Sequence, residues 1–239
     1  MKEIRILHLF PKLLSLYGDY GNVAVLKRTL EALDASVTVE QWEEGELNLD
    51  GIHMVYVGAG TEEALWEANL RLQPHKAALQ KAICDGLHFL ATGNAMALFG
   101  KELTFDGETA DAVNAFAYTT SMTCKKRYLA DALAKDAQGN VFVGFINTGC
   151  VYQDVQSPAM ALLLNPQLGN NKQTGQEGIL ENNFYGTQLI GPVLTKNPHL
   201  LSAFVEKLTG SPWQADKESY LQKAYEIAKQ ELTKRLEVN

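Results

Sequence analysis

The chain predicts an α/β fold: an open, mostly parallel sheet flanked by helices, with an antiparallel extension. Three features carry that expectation. Apolar strand-like runs alternate with helical periodicity through the first hundred residues. Two of those runs end directly in glycine-bearing turns, Gly58-Ala59-Gly60 and Gly93-Asn94-Ala95. Beyond Leu103 the texture changes to short β segments separated by turns, notably Gln138-Gly139-Asn140.

Taken in order, Ile4–Phe10 reads as a strand. A loop with Gly18, Asp19 and Gly21 follows, and Asn22 is placed to cap a helix whose apolar face is Val23, Leu26, Leu30 and Leu33. Ser36–Trp42 alternates as a second strand, and Ile52–Val57 is a third. Thr61 can cap the next helix, and Glu62 and Glu63 suit its positive first turn. Pro74 should split that helix in two before Gly86. His88–Thr92 is a short buried strand leading through a tight turn into a helix at Gly93–Gly100. Ala115–Cys124 and Asn140–Ile146 read as β, and Pro166–Gln176, rich in Asn, Gln and Gly, as a mobile loop. Tyr185–Ile190 is a further strand and Pro198–Leu208 a short helix. Residues 216–238 form a last helix, capped by Asp216, with Leu221, Ala224, Ala228, Leu232 and Leu236 on one face. Tyr220 and Tyr225 would dock it, and Trp66 and Trp213 serve packing. No linker divides the 239 residues, so residues 1–239 are expected to form a single domain.

The balance of charge is −7, with 28 acidic residues spread along the chain and no basic stripe. Nucleic acid is therefore not an expected partner. No apolar run approaches the ~18 residues needed to cross a bilayer, so membrane insertion is not expected. Cys84, Cys124 and Cys150 are odd in number and widely spaced, which fits neither a disulfide framework nor a zinc site. The simple reading is a reducing cytoplasm. His8, His53, His75 and His199 lack metal-like spacing, and no cofactor is expected.

In open α/β sheets, ligands gather at the carboxyl ends of the strands. The turns at Gly58–Gly60 and Gly93–Asn94 sit there, and both lead into helix N-termini that favour negative charge. On residue types alone this is a seat for a small anion or carboxylate, or simply a pair of tight turns.

Four sequence blocks narrow that choice. Leu14 to Asn22 reads LSLYGDYGN. Val57-Gly58-Ala59-Gly60 follows, then Gly144-Phe145-Ile146-Asn147, and Gly186 to Pro198 reads GTQLIGPVLTKNP. In order and spacing they resemble the cobyric-acid-synthase-like glutamine amidotransferases, of the class I type with a flavodoxin-like three-layer fold. Within that family the pattern is similar to the amidotransferase subunits of lipid II isoglutaminyl synthases. The resemblance covers about residues 4 to 208. It implies a thiolate at a strand-to-helix elbow that attacks the glutamine amide, a histidine that moves the proton, and backbone N–H groups that hold the oxyanion. It also implies a Mur-ligase-like synthetase partner that receives ammonia and amidates a peptidoglycan precursor.

Both catalytic positions are changed in this chain. The elbow, which resembles the family's "CGGYQxLG", reads GNAMALFG from Gly93, so the nucleophile position is Gly93 and the base position is Ile190. Thr148 stands where a histidine is usual, and Val151 where an arginine would hold the substrate carboxylate. Gly58, Ala59, Gly60, Asn94, Asn147 and Gln188 remain as candidate ligand-binding residues. A nucleophile elbow is held at positive φ, which glycine adopts freely, so Gly93 should lie there. Of the other thiols only Cys150, near Asn147, is a candidate nucleophile.

Three readings follow. The chain is a non-hydrolysing subunit or scaffold for a Mur-ligase-like synthetase, which an exposed apolar patch beside the elbow would support. Alternatively it binds a small anion without chemistry, or it is an active amidotransferase with unusual residues. The segment 107–137 departs most from the family pattern and carries no functional reading.

Overall fold

The computed structural model describes residues 2–238. Its central sheet has six strands in the order Ile179–Glu181, Phe184–Thr187, His88–Thr92, Met54–Val57, Glu3–Leu9, Ser36–Trp42. Five of them run parallel, and only the Ile179–Glu181 edge is antiparallel. Side chains alternate across this sheet, as the pleat requires. Ile4 and Ile6 join one apolar cluster with Val23, Leu26 and Leu30 of the helix Tyr20–Glu31 and Leu201, Phe204 and Val205 of the helix Pro198–Thr209. Leu7 and Leu9 join the other cluster, with Leu65, Leu72, Leu79 and Ile83 of the helices Glu62–Leu72 and Lys76–Cys84. Both faces are thus covered, which is why Met54–Val57 is an uninterrupted apolar run.

Local signals set most boundaries. The Thr61 hydroxyl accepts from the Ala64 N–H at 3.1 Å, as a cap should. Pro74 produces a short 3₁₀ turn, Gln73–His75, between two helices. Asn22 is different: it lies inside the helix that begins at Tyr20, and its side chain serves a buried network described below. The last helix runs Tyr220–Val238 rather than from 216. Asp216 closes the preceding turn on Glu218, and the Ser219 hydroxyl faces the Gln222 N–H. Tyr225 and Leu232 dock this helix on Leu133, Val143 and Leu164, while Tyr220 points to solvent.

The expected antiparallel extension forms two further sheets, and in the first of them Glu102–Phe105 pairs with Thr119–Met122 in parallel, the other pairs being antiparallel. One has four strands, Glu102–Phe105, Glu108–Asp111, Thr119–Met122 and Cys150–Gln153. The other has five, Gln176–Glu177, Met160–Leu164, Tyr128–Lys135, Val141–Thr148 and Leu189–Ile190. The expected strand Tyr185–Ile190 is divided between sheets. Phe184–Thr187 pairs with His88–Thr92, whereas Leu189–Ile190 pairs with Val141–Thr148. That crossing carries Ile190 over the carboxyl end of His88–Thr92. The loop expected to be mobile is tied down, because Asn170 accepts from the Gly178 N–H at 2.9 Å and donates to its carbonyl at 2.8 Å.

Candidate functional site

The strand His88–Thr92 ends at Gly93, whose φ is +64°, and the chain continues as a 3₁₀ helix to Phe99. Every residue from Gly93 to Phe99 is buried. Phe99 anchors the segment edge-on to Phe184 and Phe89, with ring centroids 4.8 and 5.7 Å apart. The elbow backbone is therefore fixed by packing on its far side.

The space above Gly93 is filled. A Cβ built there would lie 2.5 Å from the Ala59 Cβ and 2.9 Å from the Ile190 Cγ2. Two residues from distant parts of the sequence thus close on one glycine. A side chain of any size at 93 requires one of them to move, in addition to the cost of a positive φ.

The adjoining backbone donors are occupied as well. The Asp19 carboxylate accepts from the Ala59 N–H and the Thr92 hydroxyl, each at 2.9 Å, and from the Gly191 N–H at 3.4 Å. Burial raises the Asp19 pKa, and these hydrogen bonds, with the charge of Lys196, oppose the rise. Tyr56 donates to the Asp19 carbonyl at 2.9 Å and accepts from Asn22 at 3.0 Å, while Asn22 accepts from the Leu194 N–H. Asn94 faces the other glycine of the loop. Its side-chain oxygen accepts from the Gly60 N–H at 3.1 Å, and its amide donates to the Gly60 carbonyl at 2.8 Å. Thr92 points into this network, away from the seat above Gly93.

Asn147 and Gln188 lie in separate networks. The Asn147 side chain accepts from Arg127 at 2.8 Å. Arg127 also grips the buried Glu62 carboxylate at 2.9 and 3.0 Å. Sequence reasoning did not single out this pair, whose members are 65 residues apart. Gln188 is fully buried, accepts from the Lys172 amine at 2.8 Å and donates to Asn170 at 3.2 Å. Beside it, Glu177 is fully buried, accepting from the Thr187 hydroxyl and the Gln188 N–H. Burial pushes the Glu177 carboxyl up to about 7 and the Lys172 amine down to about 8.

The remaining candidates offer little chemistry. Cys150 is fully buried, and burial pushes its thiol up to about 11, far from a reactive thiolate. Cys124 donates to Glu63 at 3.3 Å, and its thiol is likewise held at about 11. Its sulfur, Glu63 and Glu62 lie close enough to share an ion, but Arg127 already claims Glu62 and Glu63 already accepts from the thiol. Val151 sits in a strand opposite Ser121, and Thr148 caps the N–H of Cys150. Cys84 ends a helix and His88 begins a strand, so they form no pair. His8 and His199 are desolvated down to about 4.

No family model matches the chain. It is 29% identical over 211 residues to the lipid II isoglutaminyl synthase (glutamine-hydrolyzing) subunit GatD of Staphylococcus aureus (strain N315), covering 87% of this chain and 85% of that one. The subunit of the same name from Streptococcus pneumoniae (strain ATCC BAA-255 / R6) is 24% identical over 203 residues, covering 83% and 77%. Among solved structures, the glutaminase domain of Trypanosoma brucei CTPS with bound acivicin covers 91% of this chain and 98% of its own, with a TM-score of 0.55. At 12% identity that likeness concerns the fold alone.

Proposed function

We propose, from the premise that this chain is a relative of the glutamine amidotransferase subunits of lipid II isoglutaminyl synthase, that it is a member without glutaminase activity. It would serve as a binding or scaffolding subunit for a Mur-ligase-like amidating synthetase of cell-wall precursor metabolism. The observation that carries this reading is the filled seat above Gly93, walled by Ala59 and Ile190. Nucleophilic amide hydrolysis needs a nucleophile with a base in hydrogen-bond reach. Glycine and isoleucine supply neither.

Two further observations support it. The Ala59 and Gly60 N–H groups, which an oxyanion would need, already donate to Asp19 and Asn94. The same occupancy weighs against a small anion at Gly58–Gly60. Beside the elbow, Leu16 and Tyr17 are exposed on the loop whose Leu16 N–H bonds the Ala59 carbonyl, and Tyr20 is exposed at the start of the helix that follows. This apolar patch suits contact with a protein partner. A cytoplasmic location is part of the same proposal, in keeping with three free cysteines.

The test is ammonia release from glutamine, by the chain alone and with the synthetase co-expressed. The expected result is none in either case. A restored enzyme must reopen the seat as well as refill it, so Gly93→Cys with Ile190→His should stay silent until Ala59→Gly and Val151→Arg are added. Ammonia release by the unaltered chain, abolished by Cys150→Ala, would establish an active enzyme instead.

A further inference from the structure

The loop 10–19 follows the first strand across the carboxyl end of the sheet. Two of its residues, Phe10 at φ +55° and Tyr17 at φ +59°, sit in the left-handed region that only glycine enters freely. Such a conformation persists where the surroundings over-determine it. Here the loop is tied to both walls of the Gly93 seat. The fully buried Asp19 carboxylate accepts from the Ala59 N–H at 2.9 Å and from the Gly191 N–H, next to Ile190, at 3.4 Å. The Leu16 N–H bonds the Ala59 carbonyl at 2.9 Å, so the loop grips that wall through both of its backbone groups. The Ile190 wall is a short bridge. It is anchored before by Glu177 on the Gln188 N–H and after by Asn22 on the Leu194 N–H. Between those anchors its backbone is held by the Thr187 hydroxyl, by a two-residue ladder to Ile146 and Phe145, and by Asp19. Gly191, at φ +73°, gives the bridge a residue that turns at little cost.

We propose that Asp19 is the latch of a conformational device, in which the loop 10–19 and the two walls of the Gly93 seat open and close as one unit. The seat is shut while Asp19 holds both N–H groups. Release of the carboxylate uncovers Gly93 and frees the Ala59 N–H in the same step. Leu16 and Tyr17 are exposed on the same loop, so a contact made on them acts on the seat through Asp19. The latch does not depend on what makes that contact, nor on the loss of glutaminase activity.

Amide hydrogen exchange of the full chain, corrected for intrinsic rates, tests this. The Ala59 and Gly191 amides should show equal protection, and exchange at least about ten-fold faster than Leu90 in the middle of the central sheet, which opens only with the whole fold. Asp19→Asn should speed Ala59 and Gly191 together, by about five-fold or more. Ile83→Val, remote in the helix Lys76–Cys84, lowers global stability without touching the latch, so it should speed Leu90 about three-fold and leave Ala59 and Gly191 unchanged. Unequal protection of Ala59 and Gly191 would overturn the latch. So would a shared response of all three amides to Ile83→Val, or faster exchange of Ala59 alone in Asp19→Asn. The comparison of the unaltered chain with Ile83→Val decides the matter even if Asp19→Asn does not fold.

Discussion

The two ends of the strand His88–Thr92 are opposites. At the carboxyl end the seat above Gly93 is filled by Ala59 and Ile190, and the nearby donors are matched with Asp19 and Asn94. At the amino end a cavity opens, lined by acidic and basic side chains alike, and the His88 Nδ1 is sealed from solvent without a hydrogen-bond partner. Ligands of open α/β sheets gather at the carboxyl end. In this molecule the described buried polar atoms without a partner are scattered, on His8, His88, Thr120, Tyr185 and His199. The comparison teaches that the packing and hydrogen bonding of both ends of a strand need to be counted before a pocket is assigned.

Substitutions can break that contrast. The largest effect is expected from Gly93→Ala, which combines positive φ with two close contacts. It should cost about 3 kcal/mol or more in urea unfolding. Gly45→Ala is the control, since Gly45 has φ +86° with nothing near its missing Cβ, and it should cost about 1 kcal/mol. Equal losses would mean that the seat is not filled. Asp19→Ala comes next. It strands the buried Ala59 N–H and should cost about 2 kcal/mol.

His88→Gln should be the mildest, within about 0.5 kcal/mol at pH 7.5. It should also change the pH dependence. A histidine whose folded pKa is lowered binds fewer protons folded than unfolded, so stability falls as pH drops below its unfolded value near 6.5. His88→Gln removes its share of that loss, and unfolding curves at pH 7.5 and pH 5 should lie closer together than in the unaltered chain.

The alternating elements and glycine turns made the parallel sheet legible, because strands buried on both faces leave plain apolar runs. The glycine at 93 was legible as an elbow for the same reason, and its φ of +64° follows. The closure over it was not. That Ile190 sits on Gly93 depends on the chain changing sheets at Gln188, and a continuous run from Tyr185 to Ile190 gives no hint of the change. Arg127 with Glu62, and Lys172 with Gln188, were hidden by similar long-range geometry. Lys172 lies in a segment whose Asn, Gln and Gly content suggests solvent, yet its amine is held inside by Gln188 and the Leu168 carbonyl. The amino-end cavity left no motif at all, since its walls come from four separate elements.

The most direct test of a seat without a nucleophile is covalent labelling. The intact chain is incubated with a glutamine-mimicking electrophile that alkylates active-site thiolates, and its mass is measured beside that of an active glutaminase. The expected spectrum shows the unmodified mass for this chain and one adduct for the control. A single stoichiometric adduct on this chain, mapped to Cys150 or to any residue lining the Gly93 seat and blocked by glutamine, would contradict the account.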